Sequence, residues 1–329
     1  MVIDPEEAEE LIQLANEQQL MLSVYQNRRW DNDFLTIKRL IAEDTLGKVN
    51  TYEAHFDRFR PHVQDRWREQ AGKGAGILYD LGSHLIDQAL HLFGKPQFVL
   101  ADVVAQRDGA KKTDDYFHII MGYGKLRVIL HCGSIVAGQG PRFTLHGSKG
   151  SFIKYGIDGQ EDALKAGKIP TADDWGEDNP ECYGTLILHE DEQEVVTKVK
   201  TLPGSYTSYY KQVFEHIRYG QPCPVRAEEG LQTIQMIHAA LKSSAEKNKL
   251  FSWTSKEKKM EIHSIEKQIS TDPSSRKKEL QFTTFTNDTA LQLGLFIIEL
   301  AKKRRREYRS GYYKRRTTAF LSCDERNKP

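Results

Sequence analysis

Residues 72–93 read GKGAGILYDLGSHLIDQALHLF, and the periodicity inside this stretch decides how the rest is understood. On a helix turning about 100° per residue over residues 78–93, Asp80, His84, Asp87 and His91 fall at about 0°, 40°, 340° and 20°. They form one narrow stripe, while Leu81, Leu85, Ile86, Ala89, Leu90, Leu92 and Phe93 fill the opposite half. Such a helix is buried on its broad side. A solvated stripe would be built from Lys and Glu, yet neither occurs between Tyr79 and Phe93.

An Asp four residues before a His can hydrogen-bond one ring nitrogen, fix the tautomer and leave the other nitrogen as a base near neutral pH. The competing reading is that His84 and Asp87 cap or pair inside a core. Sharing of a metal ion at helical i, i+4 spacing is a third. It lacks support because the His-Glu-x-x-His order is missing and no Cys or second acidic cluster completes a shell. No metal is expected. The run Gly72-Lys73-Gly74-Ala75-Gly76 opens the helix as a phosphate loop would. However, the polar residues 62–70 precede it where a buried strand should stand, and no G-x-G-x-x-G occurs in the sequence. It is read as a flexible approach to the helix.

Upstream, residues 5–19 carry Ala8, Leu11, Ile12, Leu14 and Ala15 at helical spacing behind Asp4 as N-cap and Pro5 at the first helical position. The short apolar run 20–25 is a buried strand, 31–43 a second helix and 49–59 a strand. Downstream, 98–105, 116–123, 126–135, 142–146, 151–155 and 185–189 are β-rich runs separated by turn residues, which predicts an antiparallel meander. Helices are expected over 206–219 and 227–247, parted by Gly220-Gln221-Pro222. The fold class is therefore α+β: a large, open, mostly antiparallel sheet with helices on one face, preceded by one helix-strand unit.

The composition, 39% hydrophobic and 28% charged over 329 residues, is that of a soluble globular protein. No apolar run approaches the roughly 20 residues of a membrane span, and the first ten residues are acidic rather than basic and then apolar, so they are not expected to act as a secretory leader. Cys132, Cys182, Cys223 and Cys323 lack paired spacing, which suits a reducing, cytoplasmic compartment. The net charge of +1 hides a basic cluster at Lys302, Lys303, Arg304, Arg305 and Arg306, continued by Arg309, Lys314, Arg315 and Arg316. With Tyr308, Tyr312 and Tyr313 it has the ingredients of a nucleic-acid contact, but a basic run without a folded scaffold is ordinarily a solvated tail. Neither nucleic acid nor membrane is expected as a partner.

The pattern G-x-x-x-D-x-G-x-H-x-x-D, here Gly76, Asp80, Gly82, His84 and Asp87, resembles the active-site helix of the Gfo/Idh/MocA oxidoreductases. The segments Tyr25-Gln26-Asn27-Arg28-Arg29-Trp30-Asp31, Phe56-Asp57-Arg58-Phe59-Arg60-Pro61 and Arg66-Trp67-Arg68-Glu69 resemble the branch of that family containing NADP-dependent scyllo-inositol dehydrogenases. The resemblance runs over residues 2–253. It implies a Rossmann half holding NADP or NAD, a substrate half built on a large open sheet, an inositol-like polyol or a sugar as substrate, and a homo-oligomer. It makes His84 the general base and Asp80 its orienting partner. Asp87, Arg58 and Arg68 come out as substrate contacts, the two arginines having surface ion pairing as their alternative. Asn27 and Arg28 are placed beside the nicotinamide.

The family's E-K-P tripeptide, whose lysine polarises the substrate oxygen, lies just ahead of the helix that begins here at Pro5, and this chain starts after it. The expected organisation is thus a Rossmann remnant over 1–30, a substrate domain over 31–254, a linker over 255–279, a fragment of a second small α/β domain over 280–306 and a disordered tail over 307–329. Residues 280–301, through Phe285, Asn287, Asp288, Ala290, Leu291, Gly294 and Ala301, resemble the opening of the GlcG/HbpS-related heme-binding family. Back-translating residues 311–329 and reading one base over gives DITKDGQQLFFHAMKGTS, similar to the continuation that family should have. A frame slip is therefore expected. Two function classes follow: a dehydrogenase substrate domain that is inactive without a nucleotide-binding half, or a non-enzymatic binding or assembly module using the same sheet.

Overall fold

The computed structural model describes residues 2–252 apart from 111–112, 171, 191–192 and 248–250, together with Leu295–Ile298. The linker, the heme-family-like stretch and the basic tail lie outside the described residues, except for those four positions.

The chain opens with α1 (Pro5–Glu17), whose N-cap Asp4 accepts a 3.0 Å hydrogen bond from the Glu6 amide. It leads into the fully buried strand β1 (Met21–Val24) and a 3-10 turn, Asn27–Trp30. Then come α2 (Asn32–Ala42), β2 (Val49–His55), a π-helical turn at Leu78–Gly82 and α3 (Ser83–Phe93). Strands β3 (Phe98–Val104), β4 (Tyr116–Tyr123), β5 (Leu126–Gly133), β6 (Phe143–Gly147) and β7 (Gly150–Lys154) follow. After α4 (Gln160–Lys165) come β8 (Gly184–Glu190), β9 (Gln193–Val199), α5 (Thr207–Tyr219), α6 (Ala227–Ala245), β10 (Phe251–Ser252) and β11 (Leu295–Ile298).

Nine of these strands form one sheet in the order β10-β3-β4-β5-β2-β6-β7-β8-β9, and β11 pairs separately with β1. The expected class holds: the sheet is mostly antiparallel and open, with helices on one face. The meander does not hold. β2 inserts between β5 and β6, parallel to the former and antiparallel to the latter. A strand can separate two others that are neighbours in sequence when it brings its own apolar face, and Tyr52 and Ala54 of β2 are fully buried. The core lies on that face, where Leu85, Ile86 and Ala89 of α3, Met236, Ile237 and Ala240 of α6, and Ile37 and Leu40 of α2 meet Phe117, Ile119, Val128, Leu130 and Phe143. The sequence reading missed α4 and β9. The latter, QEVVTKV, is exposed over its first six residues and so shows no one-sided apolar alternation.

The helix expected over 78–93 is also corrected. Its first turn is π-helical and only Ser83–Phe93 is α. The cause lies at its start, where the Asp114 carboxylate accepts from the Leu78 amide at 2.8 Å and the Asp114 carbonyl from the Ile77 amide at 3.0 Å. Gly76 makes this anchorage possible: its φ is +101° and an added Cβ would stand 1.9 Å from an Asp114 oxygen. Among the described residues no helix is long and apolar enough to cross a membrane. Gly76→Ala should therefore lose about 1–3 kcal/mol from the backbone conformation alone, and more from the displaced carboxylate. Urea titration checks this, and an unchanged midpoint would dissociate the glycine from the turn.

Candidate active site

His84 sits in the first turn of α3 and is 6% exposed. Its Nδ1 lies 3.2 Å from Gln26 Oε1, an atom of the turn that follows β1. With that oxygen accepting, Nδ1 carries the ring hydrogen and Nε2 keeps its lone pair. Burial, then the positive charge of Arg28, pushes the imidazole down to about 3; Glu161 opposes this, while Arg142 and Arg68 add to it. The ring is thus a neutral acceptor at any ordinary pH.

The expected Asp80–His84 pair does not form. Asp80 belongs to the π turn and faces Arg68, with Oδ1 3.5 Å from Nε. A π turn accommodates one more residue than an α turn, so the two side chains lose the i, i+4 alignment on which the expectation rested. Gln26 holds the ring in its place. The stripe is not an exposed one either: His84 and Asp87 are buried and only His91, at the far end, is exposed.

Asp87 is 2% exposed and gives both oxygens to Arg29, at 2.7 Å each. Arg29 also donates to Glu229 of α6 at 2.9 Å. Burial raises the Asp87 carboxyl in spite of that partner. The side chain expected to touch substrate is therefore committed to fixing the turn after β1 against α3 and α6.

Asn27 and Arg28 occupy that turn, and both are buried. Arg28 pairs with Asp31 and Glu161, lies 3.4 Å from the Tyr206 hydroxyl and stacks 5.2 Å over Phe56, while its carbonyl accepts from Gln88 at 2.8 Å. Burial raises Glu161, but Arg28 and Lys165 outweigh it and bring the group down to about 2. Asn27 is different: its Oδ1 is buried and has no hydrogen-bond partner among the described residues. A buried amide oxygen without a donor costs about 1–3 kcal/mol, a cost that a bound N–H donor would remove.

Arg58 and Arg68 do come together. With Asp80, Arg66, Arg107 and Ser134 they line one small polar pocket beside the π turn. Burial lowers the Arg58 guanidinium, whose Nε has no hydrogen-bond partner. The residues that sequence reasoning left without a role are Gln26, Glu161 and Arg142. Gln26 stood inside a quoted motif, whereas Glu161 and Arg142 reach the site from α4 and the approach to β6, with nothing in their local sequence to mark them.

A model of the oxidoreductase family's C-terminal α/β domain, Gfo/Idh/MocA, matches residues 38–250. The chain belongs to this family. A curated relative, the scyllo-inositol 2-dehydrogenase (NADP(+)) IolW of Bacillus subtilis (strain 168), is 54% identical over 247 residues, covering 75% of this chain and 69% of that protein. An uncharacterized oxidoreductase of Escherichia coli (strain K12), YdgJ, is 45% identical over 238 residues, covering 72% and 68%. The solved structure of yvaA from Bacillus subtilis superposes with a TM-score of 0.75 at 52% identity, covering 77% of this chain and 72% of that one. The Gfo/Idh/MocA expectation is thus met, and the heme-family resemblance gains no support from these comparisons.

A histidine held neutral in the fold contributes stability that is lost as pH falls. The unfolded side chain takes a proton near its ordinary value of 6.5, the folded one only near 3. Between pH 7 and pH 5 this single group should cost roughly 2 kcal/mol of unfolding free energy. His84→Gln, which cannot titrate, should lose less stability over that interval than the parent chain. Urea unfolding at the two pH values measures the difference, and equal losses would contradict a buried neutral imidazole.

Proposed function

We propose that the chain carries the substrate side of an NAD(P)-dependent dehydrogenase acting on an inositol-like cyclic polyol or a sugar. The observation that supports this best is a buried, neutral His84 whose Nδ1 faces Gln26, leaving Nε2 to accept, together with a buried amide oxygen of the next residue, Asn27, that none of the described residues satisfies. The relative at 54% identity is named for NADP-dependent scyllo-inositol oxidation, which makes NADP the first cofactor to try and NAD the second.

His84 takes the hydroxyl proton through Nε2, and Gln26 holds the tautomer that leaves this nitrogen available. Asn27 would help to hold a nicotinamide through its orphaned amide oxygen, with Arg28 setting the position of the turn. Arg58 and Arg68 offer their guanidinium groups to substrate oxygens, with Asp80 orienting Arg68, while Asp87 acts through Arg29. A nicotinamide bound there would supply the hydride acceptor. Only the nicotinamide end is provided for, since the sequence has no glycine fingerprint for the pyrophosphate. The chain is accordingly read as a Rossmann remnant over 1–30 and a substrate domain over 31–254. It assembles into homo-oligomers, as a light-scattering mass above that of the monomer would support.

The 329-residue chain alone should not reduce NADP with scyllo- or myo-inositol, because hydride transfer requires a positioned cofactor. With a family nucleotide-binding half grafted ahead of Asp4 it should, and His84→Ala in the graft should lower kcat by on the order of 10²-fold or more. Absorbance at 340 nm reads both. Turnover by the ungrafted chain would refute the need for that half, and a graft indifferent to His84→Ala would remove the base. A graft that binds no NADP would favour the non-enzymatic alternative.

A further inference from the structure

The face of the sheet turned away from the core carries a row of histidines. In the register, His55 of β2 pairs with His131 of β5, and His131 pairs with His118 of β4, so three neighbouring strands place imidazoles side by side. Ring centroids are 5.2 Å apart for His55–His131 and 5.8 Å for His118–His131. Asp57 stands two residues beyond His55, its side chain 9% exposed, and its Oδ1 is held by the Gly133 amide at 2.9 Å. His55 Nδ1 is 3.3 Å from Asp57 Oδ2.

We propose that His55, Asp57 and His131 bind one divalent transition-metal ion of the Zn2+ class. One donor atom from each of the three lies within 4.8 Å of the others. Two imidazoles and a carboxylate are a normal donor set for such an ion, which at about 2.0–2.2 Å from each ligand sets tetrahedral donors roughly 3.4 Å apart, close to the 3.3 Å between His55 Nδ1 and Asp57 Oδ2.

A second observation favours an ion over a simple ion-paired triad. His131 Nδ1 lies 2.8 Å from Asp57 Oδ1. It is nevertheless off the direction that a hydrogen bond needs, and among the described residues the buried nitrogen has no hydrogen-bond partner. A nitrogen so placed beside a carboxylate gains most from a cation accepting both lone pairs. Around the three donors stand Glu53, 3.9 Å from His55 Nε2, and Tyr116, whose ring is 5.2 Å from that of His131. The site is separate from the proposed base. Leu130 and Cys132, which flank His131 in β5, point into the core beneath the helices, so His131 points away from it. Three protein ligands leave further positions to water.

Tag-free full-length chain, stripped with chelator, should take up one Co2+ per chain with the visible d–d absorption of a low-coordinate site, and Zn2+ should displace it. His131→Ala and Asp57→Asn should weaken Co2+ binding by at least the roughly 100-fold that loss of even an outer-shell partner can cost. His146→Ala, a histidine of β6 that contacts Ser151 instead, should leave binding unchanged. Absence of saturable binding by the parent chain at micromolar Co2+ or Zn2+ overturns the proposal, as does binding undiminished in Asp57→Asn or equally reduced in His146→Ala. Should His131→Ala fail to fold, the parent titration and the near-isosteric Asp57→Asn decide between these outcomes without any measurement of catalysis.

Discussion

The doubly hydrogen-bonded pair between Arg29 and Asp87 fixes the geometry on which the site depends. Its partners come from the turn after β1 and from α3, and a third group, Glu229, ties the same guanidinium to α6. Two charges withdrawn from water are tolerated only when their polar atoms are met, and breaking such a pair from one side costs about 3–5 kcal/mol. The turn therefore cannot rotate independently of α3. Since Gln26 precedes that turn and His84 opens α3, the contact that sets the imidazole's tautomer follows from an ion pair neither residue belongs to.

Positive charge around the imidazole acts in the same sense as burial. Arg28 and Arg142 are buried, and both disfavour a proton on His84. Their own compensation comes from Asp31, Glu161 and Asp33, of which Glu161 also acts back on the ring. Charge is thereby balanced over the network while remaining locally positive at the ring, a field suited to an anionic oxygen.

Much of the architecture was legible because it rests on local apolar alternation. Six of the β-rich runs appear as strands within a residue or two of their expected ends, and the α1–β1 unit follows from Asp4, Pro5 and the buried run after them. What escaped has a different origin. The position of β2 is decided by pairing across more than seventy residues. The π turn is imposed by Asp114, a side chain thirty-odd positions from the helix it anchors. His84 was visible as a titratable group in an apolar helix, but its partner was assigned by spacing to Asp80 when tertiary contact assigns it to Gln26. The His55, Asp57 and His131 cluster has no signature spacing, because the sheet register alone assembles it.

The insertion of β2 also sets the order in which the sheet can close. Its last residue, His55, leaves the ribosome 92 residues before Gly147 completes β6, the later of its two neighbours. At 5–20 residues per second this is roughly 5–18 s. For that time a strand with both edges unpaired, and with Tyr52 and Ala54 on its apolar face, must wait for β5 and β6. The helix α2 is synthesised before β2 and α3 within this interval, and both bury the same side of the finished sheet. They are the nearest cover that the nascent chain can offer β2, which makes early docking of these helices a safeguard against strand-to-strand association.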